Sequence, residues 1–390
     1  MLGLLAALAL ATSAAFASGG PGDDNTAFGY GKNVHFARTL GFCNIYHGNA
    51  LRTCLTNRLV GLVAASHDSA HELPRIDAYV AKAGGFLQAN CHGLMHGVGR
   101  RYGAIVHLKV GRLLDYLPRT NNANCSAGFG HGLLMYLAPQ IGSLTPEQAV
   151  KTCRGASTRY ERYSCIHGFG HAYMRLYAEQ LPFALHACRL LGPDNAPDCA
   201  AGAFHDYWIA VSGVDQTKRP KNVITSPSVL CTKESGGFVR GCWYRALLEH
   251  PPKGEVRTPR AVLRLCRALS GIQHESCITA VVLVSSPSPF VQMQLCVGLR
   301  RPEAADCIRG VRVPDLADSP PAERLRLIRQ CAGIYHPAQA ACYRWLGTAL
   351  NVVTNGKFEQ DGCDALRYAA TRDDCNAGAE AYEGPLVTFA

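Results

Sequence analysis

Several chemistries are absent from this chain of 390 residues, and each absence narrows its function. There is no Cys-x-x-Cys among the 18 cysteines, so no zinc ribbon, thioredoxin-like dithiol or c-type haem attachment is written here. A phosphate loop, a dinucleotide fingerprint and a Gly-x-Ser-x-Gly elbow are all missing. Charged residues are sparse at 17%, and no basic run is interleaved with aromatic platforms, which argues against a nucleic-acid groove. After residue 17 no apolar run approaches the roughly 18 residues of a membrane span. Strand-like alternation is also lacking, so the fold is expected to be all-α.

What is present begins at the amino terminus. Residues 1–17 are almost wholly apolar and end in Ala15-Phe16-Ala17, an h-region followed by an Ala-x-Ala cleavage site. A signal peptide over 1–17 and a flexible leader over 18–30 are therefore expected, with export to a periplasmic or extracellular space. So many cysteines fit an oxidising compartment better than a reducing one.

The cysteines also give the fold. Eight pairs stand 11 or 12 residues apart: Cys43 with Cys54, Cys153 with Cys165, Cys188 with Cys199, Cys231 with Cys242, Cys266 with Cys277, Cys296 with Cys307, Cys331 with Cys342, and Cys363 with Cys375. Around them runs one local grammar. Thr145-Pro146-Glu147-Gln148 reads as a capping box with proline at the first helical position, and Thr258-Pro259 and Ser288-Pro289 open helices likewise. Gly192-Pro193 and Gly271 read as helix stops, and Asp198 as a cap for a helix starting at Cys199. Each unit becomes a helical hairpin with a cysteine in the last turn of its first helix and another in the first turn of its second. The expectation is an α-solenoid of about ten such hairpins, most stapled by an internal disulfide, in a single domain over 31–390. Cys91 and Cys125 are left over, at the second-cysteine position of two units that lack a first. A mutual disulfide is the first reading, with free thiols or metal ligands as the alternative.

The chemistry is expected over residues 85–215, with 216–390 as a histidine-poor scaffold. A Gly-x-x-His phrase recurs at His96, His131, His171 and His205, at steps of 35, 40 and 34 residues. His92 and His167 each precede a phrase histidine by four, placing both on one helix face as a two-nitrogen clamp. Units two and three thus look duplicated as units four and five, with three histidines per half. A copied structural histidine is the rival explanation. Against it, later units place Leu248, Leu283, Val313, Thr348 and Ala381 at the equivalent position, so the stack does not need a histidine there. The helices concerned are also glycine-rich, which costs about 1 kcal/mol per glycine against alanine unless close packing or ligand access compensates.

Six ligands follow: His92, His96, His131, His167, His171 and His205, in one dinuclear centre or two related sites. Imidazoles suit copper, iron or zinc. Met95, Met135 and Met174 near the motif lean towards copper, or simply fill the core; haem between paired histidines is neither required nor forbidden. Asp206 and Glu249 are the nearby acids, as partners to the ligands or proton carriers. His67 and His71 are i,i+4 beside Asp68 but lie outside the repeated position; His35 and His47 stand alone.

The function expected is an exported metalloprotein supporting metal-dependent oxidation, or failing that hydrolysis, of a small molecule or peptide. A metal carrier without turnover is one alternative. Another is a solenoid binding scaffold for an extracellular or envelope partner, with structural histidines. The formal charge of +10 reads first as a solvated basic face and second as a surface for an acidic partner. In layout, a metal between helical repeats is similar to the HEAT-repeat deoxyhypusine hydroxylases, whose His-Glu motifs are absent from the repeated positions here.

Overall fold

The computed structural model describes residues 36, 39–83, 85–117, 125–156, 159–212, 223–249, 258–285, 288–311, 330–334, 336–354 and 363–380. The expected signal peptide, leader and residue His35 lie outside them. The described chain is helical throughout, with no strand among the described residues. It divides into two compact units, one up to Arg58 and one from Leu59 onwards. In the first, Cys43 of a 3-10 turn (Phe42–Ile45) is bridged to Cys54 of helix α1 (Gly48–Ser66).

The second unit holds α2 (Ser69–Ala83), α3 (Gly85–Ile105), a 3-10 turn (Val110–Asp115), α4 (Cys125–Ile141), α5 (Pro146–Arg154), α6 (Arg159–Leu176), α7 (Leu181–Arg189) and α8 (Ala196–Ser212). It continues with α9 (Pro227–Cys231), α10 (Gly237–Glu249), α11 (Pro259–Arg267), α12 (Gly271–Ala280), α13 (Pro289–Val297), α14 (Arg301–Arg309), α15 (His336–Thr354) and α16 (Ala369–Glu380). The longer helices stack in chain order: α3 on α4, then α6, α8, α10, α12, α14, α15 and α16, each packing on the next. The short helices α5, α7, α9, α11 and α13 each pair with the long helix that follows.

These are helical hairpins, and all eight predicted intra-hairpin disulfides are formed, with Cα separations of 5.3–5.7 Å. After Cys43 with Cys54, the bridges join Cys153 to Cys165, Cys188 to Cys199, Cys231 to Cys242 and Cys266 to Cys277. In the carboxy-terminal part Cys296 is joined to Cys307, Cys331 to Cys342 and Cys363 to Cys375. The last of these departs slightly from the pattern, because Cys363 sits in a short 3-10 turn (Cys363–Ala365) rather than at the end of an α-helix.

Local chemistry explains several of the helix starts. Gln148 N–H donates to Thr145 Oγ1 (3.3 Å) while Thr145 N–H donates to Gln148 Oε1 (2.8 Å), and Pro146 fills the first helical position. Thr258 accepts from the Ala261 N–H in the same way, at 3.3 Å. Ser288 precedes its proline but makes no side-chain cap bond. Three details differ from expectation. Gly271 does not stop α11, which ends at Arg267; it opens α12 in the left-handed region (φ +54°), where glycine is free of Cβ strain. Asp198 lies inside the first turn of α8 rather than before it. Most second cysteines fall in the second turn of their helix, because those helices begin earlier. Cys165, Cys277, Cys307, Cys342 and Cys375 are each the seventh residue of theirs.

The glycines decide how closely the long helices approach. A Cβ at Gly99 would overlap the Phe129 carbonyl, one at Gly128 the His92 carbonyl and one at Gly132 the His96 carbonyl. Across α6 and α8, Gly170 meets the Cys199 carbonyl and Gly202 the His167 carbonyl. Backbone thus touches backbone in α3/α4 and α6/α8, as it also does at Gly310 against Thr279 of α12 and at Gly347 and Gly378 between α15 and α16. That closeness lets Cys91 and Cys125, on adjacent helices, sit 5.1 Å apart at Cα and form the ninth disulfide. No cysteine among the described residues is free. Ordinarily alanine stabilises a helix over glycine by up to about 1 kcal/mol. At Gly61 of α1, where nothing lies within 4 Å of the added Cβ, that gain is expected. Gly202→Ala is expected to do the reverse, costing about 2–3 kcal/mol as the helices part. Urea unfolding of both variants checks the contrast, and a stabilised Gly202→Ala protein would refute the backbone-contact packing.

Candidate metal centre

Two of the tightly packed helix pairs each carry three of the predicted histidines: His92 and His96 on α3 with His131 on α4, and His167 and His171 on α6 with His205 on α8. The i,i+4 pairs share a face as expected, and the stacking of α4 on α6 brings the two halves together. All six rings form one cluster. His96 and His171, one from each half, stand 4.8 Å apart between ring centroids. Five of the rings are buried and His92 is partly exposed. The sequence left one centre or two open; the halves meet in a single place.

Each ring presents one nitrogen inward. Nε2 of His92 and Nε2 of His96 are 3.1 Å apart, and Nδ1 of His131 is 3.4 Å from the latter. Nε2 of His167, Nε2 of His171 and Nδ1 of His205 are buried without a hydrogen-bond partner. Four of the outward nitrogens have an oxygen beside them. Nδ1 of His167 lies 3.0 Å from Tyr163 Oη, and Nε2 of His131 lies 3.2 Å from Ser164 Oγ. Nε2 of His205 is 3.2 Å from Glu249 Oε1. Nδ1 of His171 is 3.0 Å from Asp206 Oδ1, within ion-pair distance although off the line of a hydrogen bond. An outward N–H donated to an oxygen leaves the inward nitrogen as a lone pair, which is how metal-ligating histidines are oriented. No family model matches this chain, and neither does any curated protein or solved structure.

Electrostatics points the same way. Burial holds the His131, His167 and His205 imidazoles well below their ordinary value, reinforced by neighbouring histidines and by Arg245. They are neutral at pH 7 and available as ligands. Arg245 is itself buried, with Nη1 donating to Glu249 Oε1 at 3.3 Å. Glu249 therefore joins a buried guanidinium to a site histidine, and with Asp206 it supplies the negative charge that a cation here would meet. Three groupings have donor atoms close enough to share an ion: His92/His96/His131, His131/His167/His171, and His96/His171/Asp206.

Tyr163, Ser164 and Arg245 were not singled out from the sequence. Tyr163 had a signal, since it precedes His167 by one helical turn; Arg245 had another, as a lone charge among Cys242-Trp243-Tyr244 and Ala246-Leu247. The other candidates lie elsewhere. His67 sits between α1 and α2 with φ +55° and His71 in the first turn of α2, so the two do not share a helix face, and both are exposed. His47 is exposed too. Tyr207 is engaged with the Ile224 backbone and packs edge-on against Trp208, while Met95, Met135, Met174 and Tyr173 are buried with the core. A haem needs a flat slot between two axial rings, whereas these six rings pack against one another.

Proposed function

We propose that this chain is a metalloprotein of an oxidising compartment that binds a first-row transition metal through His92, His96, His131, His167, His171 and His205. The observation that carries the reading is the set of buried inward nitrogens, three of them without any hydrogen-bond partner. Leaving buried acceptors unpaired costs about 1–3 kcal/mol each, and crowding their lone pairs together adds repulsion that a cation would relieve. A histidine copied only for packing would direct both nitrogens to partners. Asp206 and Glu249 act as orienting groups for His171 and His205, and Glu249, with its side chain 18% exposed, is placed to pass protons between solvent and the site.

Nine disulfides favour an oxidising space, and no described helix is long and apolar enough to cross a membrane. Export through the amino-terminal segment is part of the proposal. Among activities, oxidation comes before hydrolysis, because enclosure of five of the six rings leaves little room for a metal-bound water. Carriage of the metal without turnover is the second reading, favoured by the same enclosure.

The test is elemental analysis of the untagged protein from its native compartment, beside a His96→Ala/His171→Ala double variant. Metal is expected in the wild type and lost in the variant with helicity kept. A folded, metal-free wild type that also takes up no added transition metal would overturn the proposal and leave a disulfide-stapled binding scaffold.

A further inference from the structure

The three donor groupings overlap in a regular way. His131 belongs to both His92/His96/His131 and His131/His167/His171. His171 belongs to the second of these and to His96/His171/Asp206, and His96 links that third grouping back to the first. Every two groupings thus share one histidine, and within each the donor atoms all lie within 4.8 Å of one another. His96, His131 and His171 each serve two groupings, whereas His92, His167 and Asp206 each serve one. His205 serves none. Its Nε2 lies beside Glu249, and its ring lies 5.0 Å from that of His171 and 5.4 Å from that of His92, as part of the wall around the donors.

Sharing limits how many ions fit. A carboxylate can bridge two metals through its two oxygens, but a neutral imidazole offers a single lone pair. To bridge, it must give up its remaining proton as well. At two of the shared histidines the second nitrogen is occupied: Nε2 of His131 lies 3.2 Å from Ser164 Oγ, and Nδ1 of His171 lies 3.0 Å from Asp206 Oδ1. A shared histidine bound in one grouping is therefore withdrawn from the other, so filling any grouping disables the remaining two.

The groupings also differ in depth. His92 is the partly exposed ring of the six, and it belongs to the first grouping. Beyond it His96 is 9% exposed and His131 4%, while His171 is at 0%. Both groupings that contain His171 are wholly buried, and one of them adds the Asp206 carboxylate. A negative charge in a low-dielectric interior draws a cation strongly. Between the outer grouping and either inner one, a single histidine (His131 or His96) can keep hold of an ion while its other two donors are exchanged.

We infer, resting on the proposed metal function, that the cluster forms three overlapping seats for a single ion, entered at His92/His96/His131 and leading inward to the two seats that share His171. The duplicated ligand set then serves the passage of one ion instead of the storage of two. An ion that keeps one ligand at every step crosses the buried region without being stripped bare. That property suits uptake and release of metal, which is what the carrier reading of the function requires.

The experiment titrates metal-free protein with zinc(II) and separately nickel(II) against a competing chelator, counts equivalents by elemental analysis and times loading by stopped-flow mixing. One equivalent of ion is expected in the wild type. Two double variants, each lacking two rings, separate shared donors from unshared ones. His92→Ala/His167→Ala leaves His96/His171/Asp206 whole. It should keep its one equivalent, weakened within the roughly 10–100-fold that losing groups around a metal site costs, and should load several-fold more slowly because the entry seat is broken. His96→Ala/His171→Ala breaks all three seats, and its loss of affinity should exceed the upper end of that range. Two equivalents in the wild type, or equal losses in the two double variants, would overturn the inference while leaving the metal function standing. Uptake of neither ion by the folded wild type would remove both. The wild-type count separates one ion from two even if a variant fails to fold.

Discussion

Full reduction of the nine disulfides is expected to unfold this protein at room temperature. Eight of them close loops of 11 or 12 residues, and the ninth, Cys91–Cys125, spans 34. In the chain-entropy model each short loop contributes slightly under about 3 kcal/mol and the longer one nearly 4, roughly 25 kcal/mol together. Typical domains are stable by about 5–15 kcal/mol, so even half of that sum removed leaves no folded state. The effect is compounded because most of the inter-helix packing runs between helices that follow one another in the stack. Far-UV circular dichroism against reductant concentration reads the effect. A protein that keeps its helicity with all 18 thiols titrated would show that the stack is held by packing instead. Cys91→Ser/Cys125→Ser is the sharper variant: this bridge pins α3 to α4 directly beside His92, so metal affinity should fall with it while the other eight bridges keep the hairpins.

The hairpins and bridges were legible because they are written locally. A cysteine spacing of 11 or 12 across Pro-capped helices leaves one economical geometry, and Thr145 and Thr258 cap as their sequences say. The six ligands were legible for a related reason, as a repeated phrase with an i,i+4 companion. Their convergence was not. Whether His131 meets His96 or stands a helix width away depends on how near the helices come, and that distance is set by Gly128 and Gly132 lying against carbonyls of α3. Glycine in a sequence announces permission for close contact without naming the partner. The outward anchors were hidden likewise: Ser164 is one serine among many until α4 and α6 are placed together, and Glu249 stood out only for its neighbour His250, whereas its roles come from Arg245 and His205.

Acid is expected to unfold the metal-free protein well above the pH at which its ordinary carboxylates titrate. His131, His167 and His205 have folded pKa values well below 6.5, held there first by burial. Below pH 6.5 the unfolded chain therefore binds three protons that the folded chain refuses, and stability drops as pH falls, by up to about 1.4 kcal/mol per pH unit for each group. Asp198 works in the opposite sense. Its carboxyl, half-buried in the first turn of α8, is pushed up to about 7, chiefly by desolvation, with Arg162 opposing. From about pH 7 down to its unfolded value of 3.8 the folded state holds a proton there that the unfolded state lacks. Three groups against one leave the unfolded chain binding more protons than the folded one, so stability falls as the pH drops below 6.5. Urea midpoints at pH 7.5, 6.5 and 5.5 measure it, and Asp198→Asn should steepen the slope by removing the opposing group. A midpoint unchanged across that range would mean the three rings are not held neutral by the fold. Bound metal should shift the whole curve to lower pH, since an ion on the inward lone pairs excludes the proton from the same atoms. The gap between the metal-free and loaded curves then reports how strongly the cage is committed to its ion.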